Sequence, residues 1–370
     1  MNHCDPSSRI EPAHPSGTAV VFSSDGNYVP YLAAALASLI KAASPGNFYD
    51  VMILSSGIGD DDQEKIRGLA QGRENIRLRF FDIRERVKSR SGDFFVNAHL
   101  SPAAYYRLFA PSIFEAFGKI LYLDCDIIVL KDVAELYGQD LRGKAVGAMR
   151  DFFAVRDLPR RAAARWAAQL DMKDTDGYFN SGVMLLDLSR LRAENYEDKW
   201  FERLKAVKTP RLHDQDILNH TLEGDVELLD AAWNSLAWIE SLGEKVHPGE
   251  LPEAIYQQYL ASISAPKILH YSSRNKPWDL PHLELAERFW EFAARTPYYN
   301  RLIFNNLQRL NAENDIFKGR LRFPPLSVKY FFYSLMARLS PGESGARYRA
   351  KAFRMKKMNA RLKTVLRSWH

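Results

Sequence analysis

The chain has 370 residues, of which 46% are hydrophobic, 12% aromatic and 26% charged. That profile excludes a disordered, collagen-like or coiled-coil protein and allows a large buried core, either one big α/β domain or one domain with a smaller appendage. Charge favours the second layout: residues 318–370 hold 14 basic groups against the single acid Glu343, a charge of +13, which leaves the other 317 residues at −7 within a total of +6. A mildly acidic body with a basic arm suits a binding or catalytic domain held at a phosphate-bearing or membrane surface.

The first 17 residues, MNHCDPSSRIEPAHPSG, are polar and proline-rich, contain no apolar export signal, and read as a flexible leader. Cysteine occurs only at Cys4 and Cys125, which argues against a disulfide framework and for a reducing, cytoplasmic setting. The longest nearly apolar stretch, Tyr31 to Ile40, is far shorter than the ~20 residues of a membrane span, so any membrane contact is expected to be peripheral.

Strand-like and helix-like segments then alternate. Thr18–Ser23 is a β-branched apolar run, and Pro30 to Ala43 follows with helical spacing. Asp50–Ser55 repeats the strand, Asp60 to Ala70 the helix with acids in its first turn, and Ile76 to Ile83 predicts a third strand. Ser101 to Phe117 reads as a helix capped by Ser101, with Pro102 at its first position, leading into one strand over Lys119–Lys131. Ala145 to Met149 and Val183 to Leu188 read as strands, and Leu158 to Leu170 and Leu188 to Lys205 as helices. VELLDAAWN from Val226 looks extended, Pro266 to Trp278 is a strand running into a loop, and His282 to Arg295 is a last body helix. This is the rhythm of a doubly wound α/β sheet. Beyond it lie Pro324-Pro325, an aromatic cluster at Tyr330 to Tyr333, and a basic run from Arg347.

The strongest chemical signal is Asp124-Cys125-Asp126 after the apolar run ILYL. In an extended segment the two carboxylates project to one face and repel each other unless a cation or base neutralises them. Hard oxygen ligands suit Mg²⁺ or Mn²⁺, and an added imidazole favours Mn²⁺. Cys125 points the other way and packs. The bland reading, one Asp capping and the other solvated, covers most such triplets. A second reading is a haloacid-dehalogenase-type phosphatase motif, in which the first Asp is a nucleophile. Ile128 departs from the Thr or Val of that motif, and the triplet follows several αβ units instead of the first strand.

Other pieces are weak alone. FSSDGNY sits where the first strand meets its helix, the crevice position of open α/β sheets, where Asp25, Asn27 and Tyr28 could contact a nucleotide, although taken alone an ordinary turn is the better explanation. Asn180 in FNSG before a strand could read a sugar hydroxyl, and Asp214 and Gln215 in HDQDILN could bring a further carboxylate and an amide. His270 ends a strand and Lys276 follows in a small polar loop, so the pair could complete a metal shell and meet a phosphate.

Taken in order from about Val20 to Trp278, the pieces FSSDGNY, AAYYRL, ILYLDCDIIV, FNSGVMLLDL, HDQDILN and HYSSRNKPW resemble glycosyltransferase family 8. The resemblance implies a GT-A fold over residues 18–300, a UDP-sugar donor and Mn²⁺ or Mg²⁺. It makes Asp124, Asp126 and His270 the metal ligands and Asp25, Asn27 and Tyr28 the uridine contacts. Arg107 becomes a donor-sugar or phosphate contact, and Lys276 the pyrophosphate lysine. Asn180, Asp214 and Gln215 surround the transferred sugar, with Asp214 and Gln215 as the catalytic pair, and Cys125 counts with the donor-binding positions. Ser273 stands where many members have glycine, and Arg274 is expected to assist there.

The implied reaction is retaining transfer of galactose or glucose to a saccharide or lipid-linked acceptor of lipopolysaccharide or another surface polysaccharide. The amide of Gln215 is a poor nucleophile, which favours departure and attack on one face of the sugar. Residues 301–370 are expected to bind the anionic inner face of the cell membrane. No nucleic-acid motif accompanies the basic arm. The third reading, a non-catalytic sugar-nucleotide or glycan binder, does not account for the full set of metal and phosphate candidates.

Overall fold

The computed structural model describes residues 9–90, 92, 94, 102–207, 209–237, 245–273 and 275–320. The aromatic cluster and basic run of the tail, Ser101, Arg274 and the first eight residues lie outside the described residues. The chain divides after Leu302, and everything below on the sheets and site belongs to the unit that ends there. From Tyr299 a helix continues to Arg320.

Strands β1 (Thr18–Asp25), β2 (Tyr49–Ser56) and β3 (Ile76–Asp82) alternate with helices α1 (Val29–Ala42) and α2 (Asp60–Gly68), as the periodicity predicts. After α3 (Arg84–Lys88) comes a correction: in place of a helix from Ser101 to Phe117 stand a 3-10 helix, Pro102–Phe109, and the short α4, Ala110–Ile113. Pro111 near the start of α4 lacks the N–H that would join the two into one regular helix. Strands β4 (Lys119–Leu123) and β5 (Ile127–Val129), helix α5 (Val133–Tyr137), strand β6 (Val146–Arg150) and helix α6 (Phe152–Asp157) follow. The helix expected from Leu158 to Leu170 is interrupted, because Pro159 lies in it; only α7 (Ala164–Leu170) is regular. Strand β7 spans Phe179–Asp187, and the helix expected from Leu188 to Lys205 breaks into α8 (Leu188–Ala193) and α9 (Tyr196–Ala206) at Asn195, whose φ is 54°. Then come α10 (Asp214–Thr221), β8 (Val226–Leu228), a 3-10 turn Ala231–Asn234, β9 (Ser235–Leu236), α11 (Glu253–Ser264), β10 (Ile268–His270), α12 (Ala286–Ala293) and α13 (Tyr299–Arg320).

The large sheet has the order β3-β2-β1-β4-β7-β6-β8, with β3, β2, β1 and β4 parallel and β7 antiparallel to both β4 and β6. Successive residues of β1 feed opposite cores: Ala19 and Val21 face the α8–α9 side, Val20 and Phe22 the α1 side. A strand buried on both faces must be apolar throughout, which is why the parallel strands read as unbroken runs. A second sheet, β5-β10-β9, stands beside it, with β10 antiparallel to β5 and parallel to β9. Among the described residues no helix is long and apolar enough to cross a membrane.

At the base of the body Asp132 closes three segments at once. Its Oδ1 accepts from the Ala134 N–H at 2.9 Å, capping α5, and from the Tyr49 hydroxyl at 2.6 Å; its Oδ2 accepts from Asn47 Nδ2 at 3.2 Å. Asp132→Ala is expected to destabilise the protein by about 2 to 3 kcal/mol, the sum of a lost helix cap and a buried hydroxyl bond. Urea unfolding should show the midpoint fall with an unchanged slope.

Candidate active site

Strands β2 and β4 flank β1 on opposite sides, so the chain direction of growth reverses beside β1, and the crevice at such a reversal is where open α/β sheets bind ligands. The end of β1 and the loop after it carry Asp25, Asn27 and Tyr28, and the bend after β4 carries Asp124-Cys125-Asp126. That bend corrects the single strand expected over Lys119–Lys131. The Asp124 N–H still donates to Gly182 O of β7 at 2.8 Å, whereas Asp126 O already accepts from the Tyr271 N–H at 2.9 Å beside the second sheet. The triplet thus passes the chain from one sheet to the other, and its carboxylates share a face through the bend and not through strand alternation.

His270 arrives by register. It pairs with Ile127, the residue after Asp126, and this places its ring against both carboxylates. Nε2 lies 3.3 Å from Asp126 Oδ1 and 3.9 Å from Asp124 Oδ2. One ligand atom from each of Asp124, Asp126 and His270 lies within 4.8 Å of the others, which fits one divalent cation with two hard oxygens and an imidazole nitrogen. Lys276 Nζ donates to Asp126 Oδ2 and to Tyr271 O, each at 2.6 Å, so the lysine and the cluster share one site. Burial would raise the Asp126 carboxyl, but Lys276 and His270 beside it hold it well below the usual carboxylate range.

Arg107 is buried and committed. Its NH2 donates to Asp124 Oδ1 at 2.7 Å, its NH1 to Ser181 O and Oγ, and its Nε lies 3.2 Å from Asp214 Oδ2. The guanidinium also lies over the Tyr122 ring, 4.4 Å from its centroid. Burial pushes the Asp214 carboxyl up to about 6, Arg107 opposing the rise and the charge of Asp124 adding to it. His213, immediately before Asp214, has φ 54° and ψ −124°, a strained turn for a side-chain-bearing residue, and α10 opens from it with Asp214 and Gln215 buried.

Asn180, Ser181 and Gly182 lie inside β7, not ahead of it as the sequence suggests, and the register with β6 slips between Ala148 and Met149. Gln215 Oε1 accepts from the Ser181 N–H at 3.0 Å, and its Nε2 donates to Asp151 Oδ2 at 3.1 Å. Asp151 and Asn234 are site residues that the sequence reading missed. Asp151 follows an apolar strand, as Asp124 does, and its Oδ1 caps α6 through the Ala154 N–H at 3.0 Å. Asn234 lies 2.9 Å from His270 Nδ1 through its Oδ1, and nothing in WNSL separates it from an ordinary turn residue.

At the nucleotide end, Asp25 Oδ1 accepts from the Asn27 and Tyr28 N–H groups at 2.8 and 3.1 Å. Asn27 is exposed, and Tyr28 meets Tyr31 and Trp278 edge-on. The Cys125 thiol is buried and donates to Ser23 O, turned from the carboxylates, so any donor contact at this position is through its backbone. Ser273 Oγ accepts from the Asn275 N–H at 3.0 Å and shapes the loop before Lys276.

The profile of glycosyl transferase family 8 matches residues 19–280. The chain belongs to that family. This family 8 glycosyltransferase is 25% identical over 265 residues to general stress protein A of Bacillus subtilis, covering 70% of this chain and 87% of the relative. It is 25% identical over 325 residues to the lipopolysaccharide 1,2-glucosyltransferase of Escherichia coli, covering 85% and 87%. Among solved structures, galactosyltransferase LgtC with donor and acceptor sugar analogues aligns at 26% identity with a TM-score of 0.64, covering 76% of this chain and 96% of that one. The WbbM bifunctional glycosyltransferase aligns at 26% with a TM-score of 0.71, and the match spans 53% of its length. The fold is therefore GT-A, and the enzyme transfers a hexose from a nucleotide-sugar donor to a saccharide acceptor. The phosphatase and non-catalytic readings lose their support.

Gly182 explains how tightly the glycosyltransferase packs this site. A Cβ there would overlap His270 Cε1 and stand 2.8 Å from Asp124 Oδ2. Gly182→Ala is expected to push the two side chains apart and weaken divalent-cation binding by about 10-fold or more, as misplaced ligand shells do. Calorimetric titration of the folded variant checks this, and wild-type affinity would contradict it.

Proposed function

We propose that the enzyme transfers galactose or glucose from UDP with retention to a saccharide acceptor, lipid-linked, in lipopolysaccharide or other surface-polysaccharide synthesis. One observation carries the reading: the Asp124, Asp126 and His270 cluster stands with Lys276 at the end of the switch-point crevice, facing the loop of Asp25, Asn27 and Tyr28. The lipopolysaccharide glucosyltransferase of E. coli and LgtC supply the two sugars. Mn²⁺, or Mg²⁺, is the proposed ion, and when bound it neutralises charge on the diphosphate as the sugar departs. Asp25, Asn27 and Tyr28 take the uridine, and Lys276 meets the pyrophosphate as a point charge. Arg107 acts on the donor through Asp124 and Asp214, since its nitrogens are already engaged by them and by Ser181.

In the transfer step the anomeric C–O bond breaks with its electron pair passing to UDP, and the acceptor oxygen bonds to the same face of the sugar. The acceptor's proton goes to the leaving phosphate oxygen. Asp214, Asn180 and Gln215 hold the sugar. Gln215 Oε1 already accepts from the Ser181 N–H, which makes an amide a poorer nucleophile still and supports single-face transfer over a covalent intermediate. The test is UDP release from a panel of UDP-galactose, UDP-glucose and GDP-mannose, with Mn²⁺ or EDTA and with or without extracted lipid-linked glycan. A UDP-hexose should turn over only with metal, and Asp126→Asn should lower the rate by about a hundredfold or more, equivalent to several kcal/mol of lost charge stabilisation. Full turnover in EDTA would sink the metal reading.

We further propose that residues 18–300 form the catalytic domain and that residues 301–370 hold it at the cytoplasmic face of the membrane. The support is the +13 charge of residues 318–370 and their aromatic cluster. Basic residues near an anionic surface contribute about 1 kcal/mol each, an attraction that salt screens. A chain ending at Arg320 should leave anionic vesicles in a flotation assay and keep UDP-hexose hydrolysis. Retained vesicle binding would place the attachment elsewhere.

A further inference from the structure

Behind the metal-binding cluster lies a relay of buried amides whose polarity is fixed from outside. Asn180 Oδ1 accepts from the Gly182 N–H at 3.0 Å, and a backbone N–H can only donate. The other side of the Asn180 amide, Nδ2, faces the Asp151 carboxylate oxygen Oδ2 at 3.3 Å. The Asn234 atom that meets Asn180 Oδ1 at 3.0 Å is therefore its donor, Nδ2. This turns Asn234 Oδ1, an acceptor, onto His270 Nδ1 at 2.9 Å, so Nδ1 carries the proton. Nε2, on the other side of the ring, points between Asp124 and Asp126, where a divalent cation bound by the three would take its lone pair. His270, Asn180 and Asn234 are 2%, 5% and 1% exposed, so water does not compete for these bonds.

We propose that Asn234 is a positioning residue with two connected effects. It holds His270 in the tautomer whose Nε2 can ligate a divalent metal, and by donating to Asn180 it orients the amide on the donor-sugar side of the site. Metal loading and sugar binding are thereby joined through one side chain that belongs to none of the six motifs. The inference rests on the metal-dependent transferase reading and adds to it a residue that touches neither metal nor donor.

Two substitutions separate the effects. Asn234→Asp keeps an acceptor for His270 Nδ1–H but repels Asn180 Oδ1, whereas Asn234→Ala removes both bonds. Mn²⁺ affinity is read on the full chain by paramagnetic resonance without donor, and the KM for UDP-hexose hydrolysis at saturating Mn²⁺, with melting temperatures as the folding control. Asn234→Asp should bind Mn²⁺ within about threefold of wild type with a KM raised about tenfold, and Asn234→Ala should weaken Mn²⁺ binding about 10- to 100-fold. Wild-type Mn²⁺ affinity in folded Asn234→Ala overturns the proposal, and so does an equal loss in both variants, the pattern of general loosening. A wild-type chain that binds no Mn²⁺ overturns the underlying metal reading instead, and the proposal with it. Should Asn234→Ala fail to fold, nitrogen-15 spectra of the His270 ring in the Mg²⁺-loaded wild type decide: a proton on Nδ1 supports the assignment, and one on Nε2 overturns it.

Discussion

Four carboxylates, those of Asp124, Asp126, Asp151 and Asp214, are gathered at the end of the parallel strands, and the site depends on how their charge is neutralised. Each is met differently. Arg107 grips Asp124 and Asp214 together; Lys276 and His270 face Asp126; the amides of Asn180 and Gln215 and the first turn of α6 hold Asp151. Removing a partner from the buried members, Asp151 and Asp214, leaves a carboxylate with little access to solvent, which costs about 3 to 5 kcal/mol. The same crowding makes the crevice receptive to a divalent cation, because one ring nitrogen of His270 and an oxygen of each of Asp124 and Asp126 lie within 4.8 Å of one another.

The second sheet exists in service of that convergence. Three short strands would contribute little to stability alone. Their value here is register: β10 pairs with β5 so that His270 stands opposite Ile127, and β9 brings the residue after Asn234 alongside Leu269. His270, at the end of β10, and Asn234, just ahead of β9, therefore reach the Asp-x-Asp bend through one small ladder. Gly182 on β7 completes the arrangement from the large sheet, since the close approach of the His270 ring leaves no room for a Cβ. A strand thus sets His270, while the bend between the two sheets sets the carboxylates of Asp124 and Asp126.

Arg107, which the resemblance makes a donor-sugar or phosphate contact, is buried over Tyr122 with its nitrogens on protein acceptors. A buried guanidinium with a planar fork is suited to fix two carboxylates at a set separation. This makes the arginine part of the frame that aims Asp124 and Asp214, and it leaves Lys276, which is only partly buried, as the cation nearer the opening.

Composition and pattern by themselves determined the α/β class and the alternation of the first three strands with their helices, since a strand buried on both faces must be apolar; the order of the polar motifs at the strand ends carried the resemblance to the family. The two acids after an apolar run by themselves called only for a counter-charge, and it was the resemblance to the family that added His270 to Asp124 and Asp126. What only the tertiary structure decided depends on contacts between segments far apart in the chain. These are the break of Lys119–Lys131 into two sheets, the placement of Asn180 within β7, the commitment of Arg107, and the participation of Asp151 and Asn234. A lone Asn or Asp in sequence is most often a cap or turn residue, and Asp151 is also a cap. Its second oxygen, and both ends of the Asn234 amide, find their partners 29 to 64 residues away in sequence, a pairing that local propensity does not encode and that the register of the strands alone fixes.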